Sequence, residues 1–87
     1  MARDGGFIER DIPAPAWRQV ADYLRSRIRA GEWEPGHAIA SETQVRQELG
    51  CARGTVRRAV AELRGEGLVV TVPGRGTYVA DPLPPEG

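Results

Sequence analysis

The sequence predicts a mainly α fold with a small amount of β: three helices followed by one β-hairpin. Three observations predict it. Ser41 to Leu63 reads as helix, tight turn and helix. Trp17 to Ile28 carries an apolar stripe at helical spacing. Leu68 to Val79 holds two β-prone runs around a Pro-Gly-Arg-Gly cluster. The chain has 87 residues, enough for one small domain, and a 40% hydrophobic content allows only a modest core.

Residues 1–14 are expected to form a flexible N-terminal arm, because the stretch is polar, has paired glycines and is kept extended by Pro13 and Pro15. Phe7 and Ile8 are its apolar residues. They offer a means of docking on the domain or on a second subunit, but a frayed terminus is the simpler expectation. The folded domain is expected over 15–80. Pro15 suits the first turn of a helix. Trp17, Val20, Ala21, Leu24 and Ile28 mark its apolar face, and Gly31 ends it. Arg18, Arg25 and Arg29 lie off that face, where a solvated role is expected. Pro35-Gly36 is a turn dipeptide, and His37 to Ala40 is expected as a short strand. Trp33 is expected to cover the edge of the core.

Ser41 begins the central motif. Its hydroxyl can accept from an orphan backbone N–H of the first turn, and Gln44, three residues on, completes a capping box. Val45 and Leu49 share one face. Gly50 stops the helix. The third helix is expected over about 52–65. Val56, Ala59, Val60 and Leu63 form its apolar stripe, while Arg53, Arg57 and Arg64 share another side. Two short helices joined by a tight turn, the second buried on one side and basic on the other, form a helix-turn-helix. Leu68 to Val72 and Thr77 to Val79 then pair across a turn with Arg75 at its tip. Such a hairpin is a wing, so the predicted fold is a winged helix-turn-helix. Residues 81–87 are Pro-rich and expected to be disordered or extended.

Formal net charge is zero, but the charge is unevenly placed. From Arg46 to Arg75 there are six arginines and three glutamates, a local +3 over the central motif and the hairpin. All twelve basic residues are arginine. Arginine suits bidentate contacts to guanine or phosphate, although GC-rich coding produces the same bias. The single Cys51 excludes an intrachain disulfide and fits a reducing cytoplasm. A thiol just ahead of a helix admits a redox role. No apolar run approaches the roughly 20 residues that cross a bilayer. The N-terminus lacks the apolar stretch of a secretory signal. His37 is the only histidine and has no partner set for a metal, so neither metal nor cofactor is expected. No nucleophile triad and no phosphate-binding glycine loop is present, so catalysis is not expected.

The stretch ASETQVRQELGCARGTVRRAVAELRGEGLV, followed by GRGTYV, resembles the DNA-binding domain of the GntR family of bacterial transcription regulators. The family pattern is similar to L-P-S-E-R-x-L-A-x-x-L-G-V-S-R-x-T-V-R-x-A-L, with a G-R-G-T wing downstream. The resemblance covers about Pro15 to Ala80. It implies a sequence-specific regulator of transcription, a repressor, bound to double-stranded DNA. Arg53 and Arg57 match the two family arginines that read bases, and Thr55 matches a phosphate-binding threonine. Ser41 and the N–H groups of the helix start behind it correspond to a second phosphate site, and Glu42 belongs to the same DNA-facing motif. Gly74, Arg75 and Gly76 match the wing tip, expected against the minor groove or backbone. At Cys51 the resemblance implies small buried filler, the stronger reading of that position.

The departures from the family pattern bear on which sequence is read. Ala40 replaces a proline, and Thr43 replaces an arginine that touches DNA in many members. Ala52 replaces the serine cap of the third helix, and Gly54 replaces a threonine or asparagine. Arg58 stands where glutamate is frequent, adding charge beside Arg57. Family members usually continue into an effector-binding domain. Only a Pro-rich tail follows Ala80 here, so the expectation is a stand-alone domain without a small-molecule site. Dimerisation is expected only on DNA, over an inverted-repeat operator. Two other readings stay open: an architectural or excisionase-like recombination accessory that bends DNA, and a winged helix that binds protein.

Overall fold

The computed structural model describes residues 8, 9 and 11–86. Phe7 and most of the expected arm lie outside the described residues. Helix α1 spans Ala16–Arg29, α2 Glu42–Leu49 and α3 Arg53–Gly65; strands β1 (Val69–Val72) and β2 (Gly76–Val79) follow. This is the expected order of three helices and a hairpin.

The helix ends follow from local chemistry. Ser41 caps α2: its Oγ accepts from the Gln44 N–H at 3.1 Å, and its own N–H donates to Gln44 Oε1 at 2.8 Å. Gly50 closes the helix at φ +68°, a left-handed conformation that glycine adopts without a Cβ clash. Helices α1 and α3 end alike. Gly31 N–H donates to Ile28 O and Glu32 N–H to Arg27 O; Gly67 N–H donates to Arg64 O and Leu68 N–H to Leu63 O. These are Schellman closures, each with a left-handed glycine. At the start of α3 nothing comparable occurs. Ala52 occupies the cap position and makes no side-chain bond, as its lack of an oxygen requires.

The core lies where α1, α3 and the inner side of the hairpin meet, with α2 closing one flank. Val20, Leu24 and Ile28 of α1 pack with Val56, Ala59 and Leu63 of α3. Val45 and Leu49 of α2, Ile39, Leu68, Val69 and Val79 complete the cluster. Each large side chain fully withdrawn from water contributes about 1.5–3 kcal/mol. Two members of the expected stripes are only half-buried, Trp17 on α1 and Val60 on α3. Val60 lines the groove of the candidate interface.

The strands pair antiparallel with Val69 opposite Val79 and Val72 opposite Gly76. The expected strand over His37–Ala40 contracts to a single bridge between Ala38 and Tyr78. Its backbone is still used: Val79 N–H donates to His37 O at 2.8 Å and Ile39 N–H to Thr77 O at 3.0 Å. Pro35 and Gly36 shorten the run on one side, and the Ser41 cap on the other.

The described segments before α1 and after β2 are both tied to the body. Gln19, buried in α1, accepts from the Glu9 N–H at 2.7 Å and donates to the Glu9 and Ala14 carbonyls at 2.8 and 2.9 Å. Ile8 packs against the core. At the other end, residues 81–86 have no regular secondary structure. Leu83 nevertheless lies against the core, and the Arg29 guanidinium donates to Pro84 O at 2.7 Å.

Candidate nucleic-acid interface

The site is built on the exposed flank of α3. Arg53, Arg57 and Arg64 recur at helical spacing, so they stand in one row beside the buried Val56, Ala59 and Leu63. Arg53 is the first residue of α3, and Arg57 follows one turn later. Both are mostly exposed, with side-chain exposures of 61% and 66%. Their guanidinium groups are not loose. Arg53 Nε lies 3.4 Å from Glu42 Oε2, and Arg57 Nε lies 3.2 Å from Glu42 Oε1. One carboxylate thus holds both arginines side by side. Glu42 is itself placed by the Ser41 cap as the first residue of α2, where a negative charge suits the helix N-terminus.

Magnitudes decide how firm this clamp is. An exposed ion pair is worth about 0–1 kcal/mol. A bidentate arginine contact to guanine is worth about 1–3 kcal/mol. The clamp therefore orients the two side chains without locking them away from a stronger acceptor.

The wing stands beyond the C-terminal half of α3. Pro73 and Gly74 occupy the two central positions of a turn closed by Arg75 N–H to Val72 O at 2.9 Å. Gly74 has φ +75°, the positive value that this type II arrangement demands at its third position. Arg75 is exposed at the tip. Between α3, the N-terminus of α2 and the hairpin runs an open groove of about 610 Å³. Val60, Val56 and Ile39 line it, and Ser41, Glu42, Arg57, Arg64, Arg75 and Gly76 reach it from the elements around it.

The structure therefore gathers most of the residues expected at the interface: Ser41, Glu42, Arg53, Arg57, Arg75 and Gly76, with Gly74 in the same turn. Thr43 and Gly54 are exposed near them, and open space surrounds the position a Gly54 Cβ would take. Thr55 is half-buried in the first turn of α3. Arg58 is placed differently. It projects from the flank of α3 that faces α1, and its guanidinium stacks 4.6 Å from the Trp17 ring centroid. Adding charge beside Arg57 in sequence does not add it beside Arg57 in space, because consecutive helical residues diverge by about 100°.

The Glu42 bridge and the Trp17 platform were not legible as contacts in the sequence, since both join residues far apart in the chain. Cys51 is half-buried. Burial pushes its thiol pKa upward, against the opposing pull of a backbone hydrogen bond and Arg46. That disfavours the thiolate and agrees with filler more than with a redox centre. Among the described residues no cluster of His, Cys, Asp and Glu could hold a metal ion. No helix among them is long and apolar enough to cross a membrane.

Comparison with known proteins places this geometry. The profile of the gntR family of bacterial regulatory proteins matches residues 16–79, the whole helical body and the wing. The chain belongs to the GntR family. Among GntR-related proteins it is 40% identical over 72 residues to the histidine utilization repressor of Pseudomonas aeruginosa, covering 83% of this chain and 29% of that protein. It is 36% identical over 75 residues to the HTH-type transcriptional repressor NagR of Bacillus subtilis, covering 86% of this chain and 31% of that one. The chain thus spans less than a third of the length of these relatives. Among solved structures, the AraR DNA-binding domain in complex with operator ORE1 superposes with a TM-score of 0.76. It is 33% identical and covers 86% of this chain and 92% of the AraR chain. The fold is accordingly the winged helix-turn-helix of GntR DNA-binding domains.

Proposed function

We propose that this chain binds double-stranded DNA in a sequence-specific manner and regulates transcription, as a repressor. The observation that carries the reading is the pairing of Arg53 and Arg57 on one Glu42 carboxylate at the N-terminal end of an exposed helix. In helix-turn-helix proteins that end of the second helix enters the major groove and meets base edges. Arg53 and Arg57 then each face a guanine O6/N7 pair, while Glu42 sets their spacing. The backbone N–H groups behind Ser41, with Thr43 and Thr55, hold phosphates. Gly54 lets the helix start approach the DNA closely, and Arg58 adds a longer-range attraction from its seat on Trp17. Gly74, Arg75 and Gly76 lay the wing against the minor groove or the backbone. The fit to a DNA-binding domain solved with its operator supports the same reading.

Under this reading the chain is not an enzyme and works in the cytoplasm. Two copies meet on an inverted repeat, with half-sites one or more helical turns apart, about 10–10.5 base pairs each. No effector site is assigned to these 87 residues. Selection of binding sites from random duplex DNA, with wild type and Arg53→Ala in parallel, tests the proposal. An enriched inverted repeat that loses definition at one position in the variant is the expected outcome. Salt-sensitive binding to every duplex with no enrichment would replace specific regulation with an architectural role. No binding at low salt would overturn both.

A further inference from the structure

The row of arginines on α3 does not end at Arg57. Arg64 lies two turns further along the same flank, about 10 Å away at 1.5 Å per residue. It stands in the C-terminal half of α3, away from the end that meets base edges. Its Nη1 donates to Thr71 Oγ1 on β1 at 2.9 Å. That bond aims the guanidinium along the groove between α3 and the wing, which Arg57, Arg75, Thr71 and Thr77 also line. The one acidic residue lining this groove is Glu42, and its oxygens already face Arg53 and Arg57. Among the described residues no carboxylate lies within ion-pair distance of Arg64. A cation without a counter-charge, fixed at one nitrogen and open at the others, is thereby held over an apolar floor of Val56, Val60 and Ile39.

We propose that Arg64 is a phosphate contact, and that the groove seats one sugar-phosphate strand between α3 and the wing. The inference rests on the DNA-binding reading above and adds a contact residue to it. The apolar floor accepts the deoxyribose faces, and Arg64 and Arg75 meet phosphates of that strand, beyond the base-reading Arg57. Thr71 serves as a positioning residue: its hydroxyl is taken up by Arg64, which it fixes. Because Arg64 meets only the backbone, its contribution is independent of base sequence.

The test is the salt dependence of binding to a mixed-sequence duplex, for wild type, Arg64→Ala, Arg64→Lys and Thr71→Val. Removing one phosphate-binding cation makes the slope of log K against log salt shallower by about 0.9. Arg64→Ala is expected to show that change and to weaken binding equally for selected and unselected duplexes. Arg64→Lys should keep the wild-type slope, since the charge remains. Thr71→Val should also keep the slope while lowering affinity a few-fold. Thermal unfolding of each variant accompanies the titrations. An unchanged slope in Arg64→Ala, beside normal salt-dependent binding by wild type, would overturn this assignment and leave the DNA reading intact. A lowered unfolding temperature with an unchanged slope would make Arg64 only a tie between α3 and the wing. Absence of wild-type binding to any duplex would overturn the DNA reading itself.

Discussion

Glu42 is the residue on which the geometry of the interface turns. Its carboxylate spaces Arg53 and Arg57, yet it also places a negative charge where phosphates approach. The two effects oppose each other. Glu42→Gln should therefore raise affinity for mixed-sequence DNA and lower the ratio of specific to non-specific binding, as measured by titration of a selected and a scrambled duplex. Cys51 gives a second expectation. Its thiol pKa is raised by burial, so at neutral pH it should react with a thiol reagent more slowly than free cysteine, and approach that rate on denaturation. The two residues differ in how far the sequence disclosed them. Cys51 follows from the family pattern, which usually has an apolar residue at its position. Glu42 follows only as a member of a family motif, since the sequence alone gives no reason for its carboxylate to meet two arginines more than ten residues away.

Helix α3 carries both the core stripe and the arginine row, and its weak point is its start. Ala52 leaves the first N–H groups without a side-chain acceptor. Ala52→Ser should restore that bond and stabilise the domain by about 0.5–2 kcal/mol, read as a higher midpoint in chemical denaturation. The opposite change is Leu63→Ala. Leu63 is fully buried between α1 and α3, and its truncation should cost about 2–5 kcal/mol, a large share of the stability of so small a domain. Helix ends were the most legible elements in the chain, because caps and left-handed glycines are local: Ser41 with Gln44, Gly31 and Gly50 all act within a few residues. The strand expected at His37–Ala40 was less legible. Pro35, Gly36 and the Ser41 cap bound it locally, but its one bridge is to Tyr78, forty residues later, so the pairing itself is a tertiary property.

The whole molecule is small enough that peripheral ties matter. Arg25 on α1 donates to both Glu66 oxygens, at 2.9 and 2.5 Å, joining α1 to the end of α3. That hydrogen-bonded pair holds the Glu66 carboxyl below its ordinary pKa and raises the pKa of the guanidinium. A carboxyl with a depressed folded-state pKa adds stability above its unfolded value and loses it as pH falls through the folded one. Glu66→Gln should accordingly lower stability at neutral pH by no more than about 1 kcal/mol, since the pair is partly exposed. The loss should shrink in acid, where wild type loses the same contribution; thermal unfolding across pH reads this directly. Charge distribution was legible in part at this level: of the arginines between Arg46 and Arg75, Arg53, Arg57 and Arg64 share the α3 flank and Arg75 stands on the wing, while Arg46 belongs to α2. The seat of Arg58 on Trp17 was not, because the sequence reports which residues are charged but not which neighbouring helix a charge stacks against.

The claim that Arg53 and Arg57 read bases from the major groove is tested most directly by chemical protection of guanine N7. A duplex selected by the wild-type chain would be probed with a methylating reagent, with wild type and Arg53→Ala bound in turn. The account predicts guanine N7 atoms protected in each half-site, with one of them exposed again in the variant while the others stay covered. A bound duplex whose guanine N7 atoms all remain reactive would contradict it, since the chain would then be holding DNA without reading it through the major groove.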